Sequence, residues 1–404
     1  MAKFVVIDSG QGTEVPFLRG ILISSLQDAG LAFEEAHQLA SEIRDDLSES
    51  STVSTRNLRA TVLKRLRHAS HREVVQRYQA GNASALQVVV EDENGRRVPF
   101  SRGYHQRRLE ACAVGVEEAN ALTQTLYKHL LDQGKTTVKS HNLNGLTHAC
   151  LEHEVGPAVA RRYLVWTDFV RSGRPLVLLV GGTAGCGKST TATNIANRLE
   201  IVRTQSTDML REVMRMMTPQ RLLPGLHTSS FEAWKALPGI DAEQSCSEAQ
   251  LADGFHAQAE LLSVACEGVV QRAQRERVSL ILEGVHICPS LLEKISGTIS
   301  DSALVVPVML AVLDREELKK RIRGRGGAAP QRRAERYLQS FDDIWRLQSV
   351  LLDEADRVQV PIFENNDKDK VFRDIMRHII GILSRDFSRE PAQVFKRRPP
   401  APPV

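Results

Sequence analysis

Three observations predict an α/β protein: a three-layer parallel sheet in the carboxy-terminal part, preceded by two small α+β repeats. From about Pro175, short apolar stretches alternate with helical periodicity, the pattern of a parallel sheet covered on both faces. At the head of that pattern stands Gly182-x-x-x-x-Gly187-Lys188-Ser189, a glycine-rich phosphate-binding sequence between an apolar run and a helical one. Ahead of it the chain repeats itself. "VPFLRG" from Val15 returns as "VPFSRG" from Val98, an offset of 83 that "EEAH" at Glu34 and "EEAN" at Glu117 keep. "VSTRNL" from Val53 then answers "VKSHNL" from Val138.

The 404 residues exceed the roughly 250–300 that one core organises, so several domains are expected. The repeats place them at 1–85 and 86–170, the alternating pattern at 171–390, and the proline-rich, basic end at 391–404, read as a disordered tail. Each repeat opens with a short β pattern around a turn, "FVVIDSGQGTEVPF" or "LQVVVEDENGRRVPF", and continues with helical periodicity. In the third region the expected strands are 176–180, 201–205, 278–282, 304–310 and 358–363.

Charged residues make up 25% and the net charge is +4, spread along the chain, so bulk electrostatics points neither to nucleic acid nor to a membrane; anion binding must be local. Six cysteines lie far apart, with no C-x-x-C pair and no histidine at metal-ligand spacing, which excludes a sequence-evident disulfide framework or zinc site. "PLVLLV" and "SALVVPVMLAVL" are too short to span a bilayer, and the opening "MAKFVVIDSGQG" carries no signal-peptide core. The reading is a cytoplasmic protein with free thiols.

Residues Gly182, Thr183, Ala184, Gly185, Cys186, Gly187, Lys188, Ser189 and Thr190 are expected to wrap the phosphates of ATP. Glycines let successive N–H groups point inward, and the following helix adds its positive dipole end. Lys188 would reach the β- and γ-phosphates and the Ser189 hydroxyl would ligate Mg²⁺. Cys186 occupies a place that needs a small residue and is not read as a catalytic thiol. Glu283 ends the apolar run of "VSLILEGVH", where Gly284 lets the chain turn away, and is the expected acid on the metal side.

Asp208 follows the second expected strand in "STDMLREVMR" and so lies at the carboxyl edge of the sheet, placed to accept the acceptor's hydroxyl proton or to order metal waters. Arg211 and Arg215, at i+3 and i+7, share its helix face, and an acid with two cations suits an acceptor bearing both a hydroxyl and negative charge. A solvated helix-surface ion pair is the plainer alternative. Between Lys319 and Arg333 seven basic residues and no acid flank a glycine cluster; a mobile lid there could neutralise the transferring group, with Arg321, Arg325 and Arg332 as candidates.

The amino-terminal units resemble the ATP-cone, a small nucleotide-sensing domain, which implies either nucleotide binding or a packing role, with homo-oligomerisation through the repeats as the expected partnership. "STDMLREVMR" is similar to the phosphate-acceptor segment of adenylate kinases without its glycine. A longer series resembles the 2-phosphoglycerate kinase family in order: "GGTAGCGKST", "STDMLREVMR", "LHTSSFEAWKAL", "GFHAQ", "LILEGVHICP", "RRAERYLQSFDDIWRLQ" and "VPIFENND". That resemblance implies transfer of the ATP γ-phosphate to the 3-hydroxyl of 2-phosphoglycerate, giving 2,3-bisphosphoglycerate and ADP. It also makes His227, Ser229, Ser230 and His286 candidate acceptor contacts, while Trp234 and Trp345 are read as packing residues. Two alternatives stand beside it: a kinase of another phosphorylated polyol such as an inositol phosphate, and a nucleotide-sensing regulatory protein without transfer. Intact Lys188, Ser189, Asp208 and Glu283 argue against the latter.

Overall fold

The computed structural model describes residues 5–7, 14–17, 19–47, 52–68, 74–76, 78–79, 88–133, 137–240, 246–298, 303–324, 331–387 and 389–395. The chain divides into two compact units: Met1–Val90 with Arg97–Phe100 and Gly134–Thr137, and Glu91–Arg96 with Ser101–Gln133 and Val138–Val404.

In the first unit, β1 (Val5–Ile7) pairs antiparallel with β2 (Glu14–Pro16) and parallel with β3 (Thr52–Ser54). The helices Arg19–Asp28, Phe33–Leu47 and Thr55–His68 supply a core of Leu22, Leu26, Ala36, Ala40, Ile43, Val62 and Leu66. Ala36, Ala40 and Ile43 recur at helical spacing, so one stripe of Phe33–Leu47 is buried while Glu34 and Glu35 sit at its positive end. The second repeat runs through the same element order. Strands β4 (Val89–Glu91) and β5 (Arg97–Pro99) precede helices Arg102–Glu110 and Val116–Asp132, then β6 (Thr137–Lys139) precedes Ser140–Glu154, and Pro157–Ser172 follows as a further helix.

The second unit holds a five-stranded, wholly parallel sheet: β7 (Leu176–Gly181), β8 (Arg203–Ser206), β9 (Leu280–Glu283), β10 (Leu304–Ala311) and β11 (Ile362–Glu364), in the order β11-β10-β7-β9-β8. β7 is buried along its whole length, as a central parallel strand requires. Helices Lys188–Leu199 and Lys368–Leu383 pack on each other and on the sheet; Glu248–Arg275 and Phe341–Arg357 form a second such pair. The layers are those expected. Trp234 is buried, as expected of a packing residue.

Three strands begin later than expected, and for one reason. Helices before β8, β9 and β11 close with a residue in the left-handed region, Glu200, Arg277 and Gln359, followed by a backbone bond five residues back: Ile201 to Ala196, Val278 to Ala273 and Val360 to Ala355. This closure satisfies otherwise orphaned carbonyls and consumes the first apolar residues of each expected strand. None of the three is glycine, so the usual helix-stop signal is missing from the sequence.

The expected tail is ordered at its start. Pro391–Val394 is a helical turn whose Val394 and Phe395 are buried, with the Phe395 ring edge-on to His148 at 5.7 Å and Arg171 donating to the Val394 carbonyl. Two apolar side chains outweigh the prolines that follow. Within this same unit the second repeat is wired to the helix Lys188–Leu199: buried Glu110 accepts an ion pair from Arg198 at 3.0 Å, and Arg107 pairs with Glu200 at 2.8 Å. All six cysteines are free and buried. Among the described residues no helix is long and apolar enough to cross a membrane.

Candidate active site

The phosphate loop leaves β7 and enters the helix Lys188–Leu199 through Gly182, Gly185 and Gly187, each with positive φ. Gly187 is required twice over, by its φ of 89° and because a Cβ there would overlap the Asn365 carboxamide. Asn365, just past β11, donates through Nδ2 to the Cys186 carbonyl at 2.7 Å and lies 3.4 Å from the Thr191 hydroxyl. It is buried and braces the loop from the far strand; within "VPIFENND" no local signal gives it a role. Cys186 and Thr183 are buried behind the loop, Ala184 lines the chamber described below, and the Lys188 ammonium donates to the Thr183 carbonyl at 2.8 Å.

Because β9 lies beside β7 with Glu283 opposite Val180, its carboxylate arrives next to the helix that starts at Lys188. There the Ser189 hydroxyl donates to Glu283 Oε1 at 2.9 Å. Gly284 takes the chain away where a Cβ would overlap the Thr207 hydroxyl, so the β9 turn and the start of the helix Thr207–Met217 can meet only over a glycine.

That helix carries Asp208 and Arg211 into a polar chamber shared with Lys188, Ser189 and Glu283 and closed by Ser229, Ser230, Phe231, Val285 and Tyr337. Ser206 caps the helix by accepting from the Asp208 N–H. Arg211 Nη1 donates to the Thr228 carbonyl at 2.7 Å, its Nη2 lies 3.8 Å from Asp208 Oδ1, and its Nε is buried with no hydrogen-bond partner among the described residues. The chamber opens into a wider cleft lined by Met209, Glu212 and Arg336 as well as Asp208, Arg211, Ser229 and Tyr337. Arg336 and Tyr337 carry no sequence signal for this site; they come from the helix Gln331–Gln339, where the Tyr337 ring packs tilted against Phe231 at 5.2 Å and Arg336 pairs with Glu232.

Four expected residues stand elsewhere. Arg215 does not line the chamber; it pairs with Glu212 at 2.6 Å, one turn back on its own helix. His227 donates to the Thr218 carbonyl at 2.9 Å and holds a loop. His286 is sealed in the interior between Thr207 and Gln258, so it cannot touch an acceptor. Burial pushes it down to about 3, with Asp208 raising it and Arg211 and Lys188 lowering it further, and it is neutral. Arg321 is no part of a mobile segment: it lies on the helix Arg315–Gly324, bonded to Glu317 at 2.9 Å and to the Asn365 carbonyl at 2.6 Å. With Gly185, Gly187, Thr190, Asn365, Asn366 and Lys368 it lines a second cleft on the other side of the loop. Arg325 and the Arg332 side chain lie outside what the structure describes.

A phosphate loop facing one chamber with an arginine and a neighbouring acid is what group transfer between two anions needs, and the class follows: a phosphotransferase of the P-loop kind. Known proteins agree. Residues 88–172 match the ATP cone domain family. The 2-phosphoglycerate kinase of Pyrococcus furiosus is 34% identical over 310 residues, covering 75% of this chain and 99% of that one. The 2-phosphoglycerate kinase of Methanopyrus kandleri is 34% identical over 287 residues, 71% and 85% of the respective chains. The chain belongs to the 2-phosphoglycerate kinase family and is an ATP-using kinase.

Proposed function

We propose that the protein transfers the γ-phosphoryl group of ATP to the 3-hydroxyl of 2-phosphoglycerate, giving 2,3-bisphosphoglycerate and ADP. The observation that carries the reading is that one chamber is lined both by the phosphate-loop residues Lys188 and Ser189 and by the helix-borne pair Asp208 and Arg211. The names of the relatives supply the acceptor.

In this reading the acceptor's carboxylate or phosphate takes the uncommitted Arg211 Nε–H, and Ser229 and Ser230 add neutral donors. Asp208, with its side chain 60% exposed, accepts the proton as the 3-oxygen forms its bond to the γ-phosphorus and the bridge to the β-phosphate breaks. Lys188 offsets charge on the phosphoryl group. The hard oxygens of Ser189 and Glu283, 2.9 Å apart, fit Mg²⁺, with Asp208 able to order its waters. The ion would neutralise the β- and γ-phosphates.

An ADP-release assay on 2-phosphoglycerate, 3-phosphoglycerate and inositol phosphates tests the assignment. Turnover should be confined to 2-phosphoglycerate and abolished in Lys188→Ala. Robust transfer to an inositol phosphate alone would overturn the acceptor assignment, and undiminished turnover in Lys188→Ala would overturn the phosphate site.

A further inference from the structure

The interior behind the acceptor chamber holds a line of polar groups that are not part of the chamber's lining. Thr207 Oγ1 lies 2.9 Å from His286 Nδ1, and His286 Nε2 lies 2.9 Å from Gln258 Oε1. Gln258 Nε2 lies 2.5 Å from the Gly225 carbonyl and 3.1 Å from the Thr228 carbonyl, the same carbonyl that receives Arg211 Nη1 at 2.7 Å. Thr207, Gln258 and His286 are buried.

The protons along this line have one consistent arrangement. Two carbonyl oxygens beside Gln258 can only accept, so the amide must present its NH₂ to them and leave Oε1 for His286. His286 therefore carries its proton on Nε2 and donates it to Oε1. Nδ1 is then an acceptor, and the Thr207 hydroxyl must donate to it. The reversed amide would set oxygen against two carbonyl oxygens in a buried site, at the cost of several unsatisfied groups. Phe255, stacked on the imidazole at 6.1 Å with a 7° interplanar angle, fixes the ring plane.

The line connects three segments that each contribute residues to the chamber, and a fourth that ties them together. Thr207 opens the helix of Asp208 and Arg211, His286 follows Glu283 on the β9 turn, Thr228 precedes Ser229 and Ser230, and Gln258 ties them from the long helix Glu248–Arg275. From this geometry we infer that Thr207, His286 and Gln258 are positioning residues, which orient the Thr228 carbonyl and through it aim the Arg211 guanidinium at the acceptor anion. The inference rests on the phosphotransferase reading above and deepens it: acceptor affinity is set from inside the core, from Gln258 three hydrogen bonds away from the acceptor to Thr207 five away.

The test is a set of isosteric changes in the full-length protein. Gln258→Glu keeps an acceptor for His286 but turns a second oxygen toward the Gly225 and Thr228 carbonyls. Thr207→Val removes only the hydroxyl, and Thr207→Ser restores it. Gln258→Glu and Thr207→Val should each raise the acceptor KM about tenfold, the loss of a hydrogen bond or two, while the ATP KM stays within about twofold; Thr207→Ser should behave as wild type. Circular dichroism and thermal midpoints confirm that each variant folds, and a variant that does not fold is replaced in the comparison by its partner on the line. Acceptor and ATP KM rising together, or an unchanged acceptor KM in folded variants, would overturn the inference. Wild-type protein inert toward 2-phosphoglycerate would instead indict the acceptor assignment, and the ratios are then read on whichever acceptor of the panel the wild type uses.

Discussion

Asp208 and Arg211 sit three residues apart on one helix, yet the structure gives them different surroundings. Arg211 is mostly buried, held by a backbone carbonyl and left with a buried Nε–H to spend; Asp208 is exposed and capped only at its own N–H. A buried, oriented cation contributes to ground-state binding, while an exposed carboxylate that receives a proton acts only as the bond forms. Arg211→Ala should raise the acceptor KM by about tenfold or more with the ATP KM little changed, and Asp208→Asn should lower kcat with KM nearly intact, both read from steady-state kinetics. Small stability changes with wild-type kinetics in both variants would return the pair to an ordinary helix-surface interaction. Arg215, which helical periodicity puts on the same face, is spent on Glu212, and its replacement should leave both KM values unchanged.

Among elements, the segment after β11 does more than end the sheet. Asn365 accepts from Arg321 through its carbonyl, donates its backbone N–H to the Ala311 carbonyl, and braces the phosphate loop through Cys186. The loop's shape is therefore held from a strand that follows it by about 180 residues in the chain. Asn365→Ala should loosen the loop and raise the ATP KM several-fold while sparing the acceptor KM, the mirror image of Arg211→Ala. The helix Arg315–Gly324, expected as part of a basic lid, is instead tied down by Arg321, with Lys319 over the Phe341 ring and Arg315 over the rings of Phe341 and Trp345. Basic runs read as mobile because sequence counts charges and not their partners.

Across the whole molecule, buried histidines set the response of stability to pH. Burial pushes His105, lodged between Thr123 and Thr147 in the second repeat, down to about 3, as it does His286 beside the active site. The unfolded chain binds these protons near pH 6.5, so between about 6.5 and 3 the unfolded state holds more protons and stability falls as pH falls. His256 runs the other way. Its bonds to Cys288 and Glu354 raise it to about 10, so the stability it brings is complete below 6.5 and is lost as pH rises toward 10. Stability should therefore peak near neutrality, and His105→Gln should flatten the acid limb in urea titrations at pH 7 and pH 4.5. Equal losses in variant and wild type between those pH values would remove His105 from the account.

Much of this was legible in the amino acids alone. Phosphate-loop spacing, strand alternation and the doubled amino-terminal unit are local patterns, because they depend on backbone propensity and on which face of an element is apolar. Local pattern also placed Asp208 and Glu283 at strand ends and so at the site. Three-dimensional packing alone decided which charges were already spent, as Arg215 is on Glu212 and Arg321 is on Glu317 and Asn365. It decided that His286 faces inward and that Asn365, Arg336 and Tyr337 come to the clefts from distant stretches. It also decided that helices end at Glu200, Arg277 and Gln359, where no glycine announces them. The physical reason is common to all three: a side chain's partners and solvent are set by residues far away in the chain, and periodicity reports only its neighbours.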